Sequence, residues 1–177
     1  ADSDYLDAQL SAAELFTKKY QYADAAEFLE AALKLNPNSA RVYLDLARNK
    51  RNEGGEEVNA ALNRALTINP NYVEALSLRA ALALEAGQFE AASADLDKAL
   101  KINSHSLEAH SLRASMYYLQ DRDFEPEVAA TLAIGPHYGD VYNTLAHYAT
   151  ITRRTEQAVA FARRAIELSP RLWDAHL

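Results

Sequence analysis

Residues 71–103, NYVEALSLRAALALEAGQFEAASADLDKALKIN, read as two helices joined by a tight turn. In the first helix Leu76, Arg79, Ala80 and Ala83 recur at i, i+3, i+4 and i+7, the spacing of one helical face. In the second, Phe89, Ala92, Leu96 and Ala99 keep the same period. Between them stands Gly87, which reaches positive φ without steric cost because it has no Cβ. Helices of roughly 14 residues are marginal alone in water, so each must bury its apolar stripe against its partner and its neighbours.

The end of this stretch recurs along the chain. AALKLNP (31–37), RALTINP (64–70), KALKINS (98–104), ATLAIGP (130–136) and RAIELSP (164–170) are variants of one block. Their last residues, Pro37, Pro70, Ser104, Pro136 and Pro170, stand 33, 34, 32 and 34 residues apart. A helix–turn–helix unit repeated at such an interval predicts an all-α solenoid of stacked antiparallel helix pairs.

The repeats resemble the tetratricopeptide repeat, with its W-x2-L-G-x2-Y, A-x3-F and P pattern. Aligned on the closing Pro, the small residue of the first helix is Ala13, Ala47, Ala80, Ala114 and Ala146. The two small sites of the second helix are Ala25, Val58, Ala92, Phe124 and Ala158, then Ala32, Ala65, Ala99, Thr131 and Ala165. Val58, Phe124 and Thr131 depart from the small residues that close helix crossings favour. The resemblance implies a right-handed superhelix and one array over residues 1–177. Its repeats fall at about 6–39, 40–71, 73–106, 107–138 and 139–172, with a further helix beginning at 173–177.

Two repeats are irregular. The second has lost a residue in RNEGGEE (51–57), next to which Lys50 is expected to carry its charge out past the shortened turn. The fourth is two residues short, and Pro126 falls in the first turn after an Asp123 cap, where no intrahelical N–H is lost. A shortened second helix is expected there. Asn38 or Ser39 is positioned to cap the helix that follows the first repeat.

Composition narrows the function classes. Hydrophobic residues make up 49% and charged residues 24%, as in a folded helical protein. A formal net charge of −7 opposes nonspecific association with nucleic acid or an anionic membrane. No run of 18 apolar residues provides for membrane insertion. The absence of cysteine removes disulfides, thiol catalysis and Cys-zinc sites, and leaves cytoplasmic and periplasmic locations both compatible.

Catalytic patterns are missing. His105, His110, His137, His147 and His176 form no HExxH motif or paired metal face. Asp121-Arg122-Asp123-Phe124-Glu125-Pro126-Glu127 has a calcium-loop flavour, but Pro126 replaces the sixth-position Gly and Leu132 the closing Glu. No phosphate-binding Gly-rich loop or nucleophile elbow occurs. No metal, no cofactor and no intrinsic catalysis are expected.

In tetratricopeptide proteins the first helices line a concave groove. Carried over residue by residue, the resemblance places Lys18, Arg41, Arg48, Arg51, Asn52, Ser77, Ser111, Ser115, Tyr118, Asn143 and His147 on that surface. Helical geometry independently sets Arg41, Arg48 and Asn52 within about 40° of one another, with Arg51 at the edge. With Lys18 nearby they form a basic pocket suited to a carboxylate or phosphate. Alternatively, these arginines pair locally with Glu14, Asp45 and Glu74. Ser77, Ser111 and Ser115 are expected to leave the groove floor open to a backbone, with Tyr118, Asn143 and His147 as walls. The carboxylate clamp that holds chaperone tails would need Lys, Asn, Asn, Lys and Arg where this chain has Leu10, Glu14, Asp45, Glu74 and Leu78. The family's chaperone-tail mode is therefore disfavoured.

Beyond Pro170, Leu172, Trp173 and Leu177 join Ile166 and Leu168 in an apolar end, although solenoids close on a polar cap. The expectation is a piece of a longer protein, or an end covered by self-association through Leu168, Leu172, Trp173 and Leu177. The leading reading is a scaffold that holds a peptide or partner protein of unknown identity. The alternatives are a non-catalytic repeat segment of a larger bacterial enzyme and a self-associating homo-oligomeric scaffold.

Overall fold

The computed structural model describes residues 2–51 and 55–170. Among them every regular element is an α-helix, and the helices come in antiparallel pairs. These are α1 (Asp2–Lys18) with α2 (Tyr22–Leu35), α3 (Ala40–Lys50) with α4 (Glu56–Ile68), and α5 (Val73–Glu85) with α6 (Phe89–Ile102). They continue with α7 (Leu107–Leu119) and α8 (Glu125–Ile134), then α9 (Asp140–Ile151) and α10 (Thr155–Leu168). The predicted fold class, an α-solenoid of helix pairs, is what the chain adopts.

One turn geometry recurs between paired helices. Gly87 takes φ +70°, and Tyr20, Asp121 and Arg153 hold φ of 59°, 53° and 60° at the same place in their repeats. In each case the next residue's N–H reaches back five residues: Gln21 to Phe16 O, Gln88 to Ala83 O, Arg122 to Tyr117 O and Arg154 to Ala149 O, at 2.8–2.9 Å. This is the Schellman closure, in which a left-handed residue lets the chain satisfy the last helical carbonyls and reverse. Ser39 caps α3 by accepting from Val42 N, and Ser106 caps α7 by accepting from Ala109 N. In the fourth repeat Asp123 Oδ1 accepts from Glu125 N at 3.1 Å and Pro126 lies in the first turn of α8. That helix runs only 10 residues, as its shortened sequence predicts.

The chain divides into two compact units, Ala1–Ala75 and Leu76–Leu177. In the first, Leu10 and Ala13 of α1, Leu29 and Ala32 of α2 and Val42 of α3 form a buried cluster. Phe16 stacks on Phe28 at 5.2 Å beside them. Buried Asn49 ties α3 to the first pair: its Nδ2 donates to Tyr22 O at 3.1 Å and its Oδ1 accepts from Thr17 Oγ1 at 3.4 Å. Lys50 is ion-paired with Glu57.

In the second unit Ala114, Tyr118, Val128, Val141, Leu145, Ala149 and Ala158 form the core between α7, α8, α9 and α10. Phe124, too large for the site it occupies in the repeat, stands just before α8 and packs edge-on against Tyr118 at 5.6 Å and Phe161 at 5.9 Å. Thr131 stays buried because its hydroxyl donates to Glu127 O at 2.8 Å. Gly139 sits where a Cβ would come within 2.5 Å of Ala165 O, so α9 starts in direct backbone contact with the end of α10.

Candidate functional site

In the first unit the basic residues meet acidic ones. Arg48 Nη1 lies 3.2 Å from Asp45 Oδ1, and Arg41 Nε lies 3.9 Å from Asp45 Oδ2. Arg41 Nη1 is also 3.6 Å from Asp7 Oδ1 on α1, while Lys18 pairs with Glu14 at 2.7 Å. The spacing explains the pattern. Residues 41, 45 and 48 are separated by one helical turn each, so two guanidinium groups flank one carboxylate on a single face. The Asp45 side chain is 16% exposed, against 49% for Arg41 and 45% for Arg48. Burial holds the Asp45 carboxyl above the usual aspartate range against the pull of Arg48 and Arg41. The hydrogen bond from Lys18 holds Glu14 below the usual range. Tyr72, raised chiefly by its burial, faces the same group of charges.

The face is thus mixed rather than bare. Each arginine presents five N–H donors and engages Asp45 through only one nitrogen, so donors remain at the surface. Arg51 is exposed at the C-cap of α3, and Asn52 falls outside the described residues.

The second unit corrects the open groove floor. Ser77, Ser111, Ser115 and Tyr118 are buried rather than exposed along an open floor. The Ser111 hydroxyl donates to Leu107 O at 2.8 Å and that of Ser115 to Ser111 O at 3.0 Å, so both are turned back on their own helix. Tyr118 belongs to the aromatic core, and its hydroxyl donates to Gln157 Oε1 at 2.7 Å. Asn143 and His147 are exposed on α9. The group that sequence reasoning missed is Tyr148. It is 1% exposed, and its hydroxyl donates to Ala81 O of α5 at 3.2 Å. Beside it, His147 Nε2 is 3.8 Å from Glu85 Oε1. An aromatic residue following the small series Ser77, Ala81, Ser111 and Ser115 was the available signal: small side chains on two first helices make room for a ring on the third.

Among the described residues no group of His, Asp and Glu is placed to hold a metal, and no helix is long and apolar enough to cross a membrane. At the other end of the chain Leu168 is half-buried, and Leu172, Trp173 and Leu177 lie outside the described residues.

The family model for the tetratricopeptide repeat matches residues 73–106 and 139–172. The chain carries tetratricopeptide repeats. No curated protein matches the sequence. Among solved structures, the repeats are similar to a thermophilic tetratricopeptide repeat protein of Thermus thermophilus. The identity is 22%, 99% of this chain and 95% of that one are covered, and the TM-score is 0.74. They are also similar to PilF of Pseudomonas aeruginosa, at 14% identity, 95% and 78% coverage and a TM-score of 0.75. A third likeness is to YrrB, a tetratricopeptide repeat protein described as having an unusual peptide-binding site, at 18% identity, 94% and 88% coverage and a TM-score of 0.55. At these identities the likeness is one of fold. Tetratricopeptide repeats as a class present stacked helices as binding surfaces.

Proposed function

We propose that this chain is a protein-interaction module, a single array of tetratricopeptide repeats that holds an acidic peptide segment or acidic protein surface on its α1/α3 face. The observation that carries the reading is the sharing of Asp45 by Arg41 and Arg48 while both guanidinium groups stay about half exposed. The pair is held in place by the half-buried carboxylate, so its remaining donors are preorganised for a planar anion. Lys18 and Arg51 add positive charge at the margins. That YrrB, similar in fold, is described as having a peptide-binding site supports a peptide as the ligand.

The test is binding to an array of acidic and phosphorylated peptides, followed by titration of the best sequence. Arg41→Glu with Arg48→Glu is expected to weaken that titration by at least about tenfold, with the helical circular dichroism unchanged. Equal affinity in the doubly reversed chain discards the face.

A second reading, self-association, is favoured by Val159 and Ile166, which stand seven residues apart on α10 and are 48% and 37% exposed. Sedimentation over a wide concentration range separates it from the first: a constant monomer mass removes it.

A further inference from the structure

In a helical solenoid each repeat packs on its neighbours only. The contact of Tyr148 with Ala81 breaks that rule, because α9 belongs to the fifth helix pair and α5 to the third. The first helix of the intervening pair, α7, already packs on α9. The reach back to α5 is therefore additional to the stacking that builds the unit. It is also a two-point contact, since Tyr148 meets Ala81 and His147 meets Glu85 one helical turn further along α5.

The bed under this contact has a particular chemistry. Ser77 and Ala81 on α5 and Ser111 and Ser115 on α7 are small and buried. Two of the three serines satisfy their hydroxyls within α7, but the fully buried hydroxyl of Ser77, one turn before Ala81, finds no partner among the described residues. A buried hydroxyl left unpaired costs stability. The bed thus holds a phenol hydrogen-bonded to a backbone carbonyl and keeps one polar group unused.

We propose that Tyr148 is a displaceable internal occupant of the α5/α7 face, standing in for a tyrosine side chain carried by an extended partner segment. The Ala81 carbonyl selects a phenol over a phenyl ring, and the unused Ser77 hydroxyl supplies a hydrogen bond to the entering backbone. The Arg41/Arg48 face takes no part in this, so the two readings stand or fall separately.

The probe is p-cresol, the tyrosine side chain itself, with toluene beside it, followed by amide shifts of residues 77–85. Wild type is expected to bind p-cresol saturably but weakly, because only the open fraction is competent. Tyr148→Ala is expected to bind it at least about tenfold more tightly, and to prefer it over toluene by at least about tenfold. Should the alanine variant not fold, Tyr148→Phe keeps the ring and loses the bond to Ala81; it is expected to take p-cresol more tightly than wild type. A wild type that binds no p-cresol up to its solubility, no gain in the folded variant, or no preference over toluene overturns the proposal.

Discussion

Arg79 and Asp95 meet as a two-pronged pair, Nε to Oδ2 at 2.7 Å and Nη2 to Oδ1 at 2.6 Å, across the α5–α6 hairpin. Arg79 stands in the apolar stripe of α5 beside Ala80 and Ala83, so its charge there needs a fixed partner. The hydrogen bonds it donates to Asp95 hold the guanidinium above its usual pKa. Asp95→Ala is expected to lower unfolding stability by about 1–3 kcal/mol, with Asp95→Asn losing less. Urea denaturation of the three chains checks the order.

Gly139 is set by its neighbours rather than by its own torsions. A Cβ there would meet Ala165 O at 2.5 Å and Ser169 Oγ at 2.8 Å, and the Gly139 N–H donates to that Ser169 hydroxyl at 3.0 Å. Gly139→Ala must push α9 off the end of α10. A loss of about 1–3 kcal/mol is expected, read in the same denaturation assay.

The left-handed turn position gives a paired test. Gly87 has open space for a Cβ but sits at φ +70°, so Gly87→Ala is expected to cost about 1 kcal/mol through torsion alone. Arg153 is an exposed L-residue held at φ 60° in the equivalent turn, and Arg153→Gly is expected to stabilise by up to about 1 kcal/mol. Opposite shifts in midpoint at unchanged denaturant slope are the expected result.

Tyr138 carries the alkaline limit. Burial, with the charges of Asp140 and Glu108 adding, pushes its hydroxyl from 10 up to about 12. A group whose pKa is higher in the folded chain than in the unfolded one contributes stability that is complete below the unfolded value and is lost as pH rises through the folded value. Stability is therefore expected to fall between pH 10 and about 12. Tyr138→Phe should remove roughly 2 kcal/mol of that fall. Denaturation midpoints on either side of this window check it.

The helix pairs were legible because the residues at their crossings are named by period: Ala13, Ala47, Ala80 and Ala114 are all buried. The Arg41–Asp45–Arg48 arrangement was legible for the same reason, being local to one helix. Asp7 was not, since its approach to Arg41 joins α1 to α3 and depends on how those helices lie. The serines misled for a related cause. A small side chain marks room for something, and only packing decides whether a ligand or another part of the chain takes it; here Tyr148 arrives from 67 residues away. Tyr118 was assigned by position to a wall, but Phe124 and Phe161 offered its ring a drier place.

The carboxylate shared by Arg41 and Arg48 changes what recognition on that face would cost. An incoming anion does not meet a bare cation; it trades places with the exposed Asp7 while Asp45 stays to hold both guanidinium groups, leaving the tally of opposite charges the same. Added electrolyte screens the departing contact as much as the arriving one, so affinity there should vary far less with ionic strength than on an unpaired basic patch. Such an exchange also favours a doubly charged phosphate over a single carboxylate, because only the former offers the guanidinium groups more than they give up.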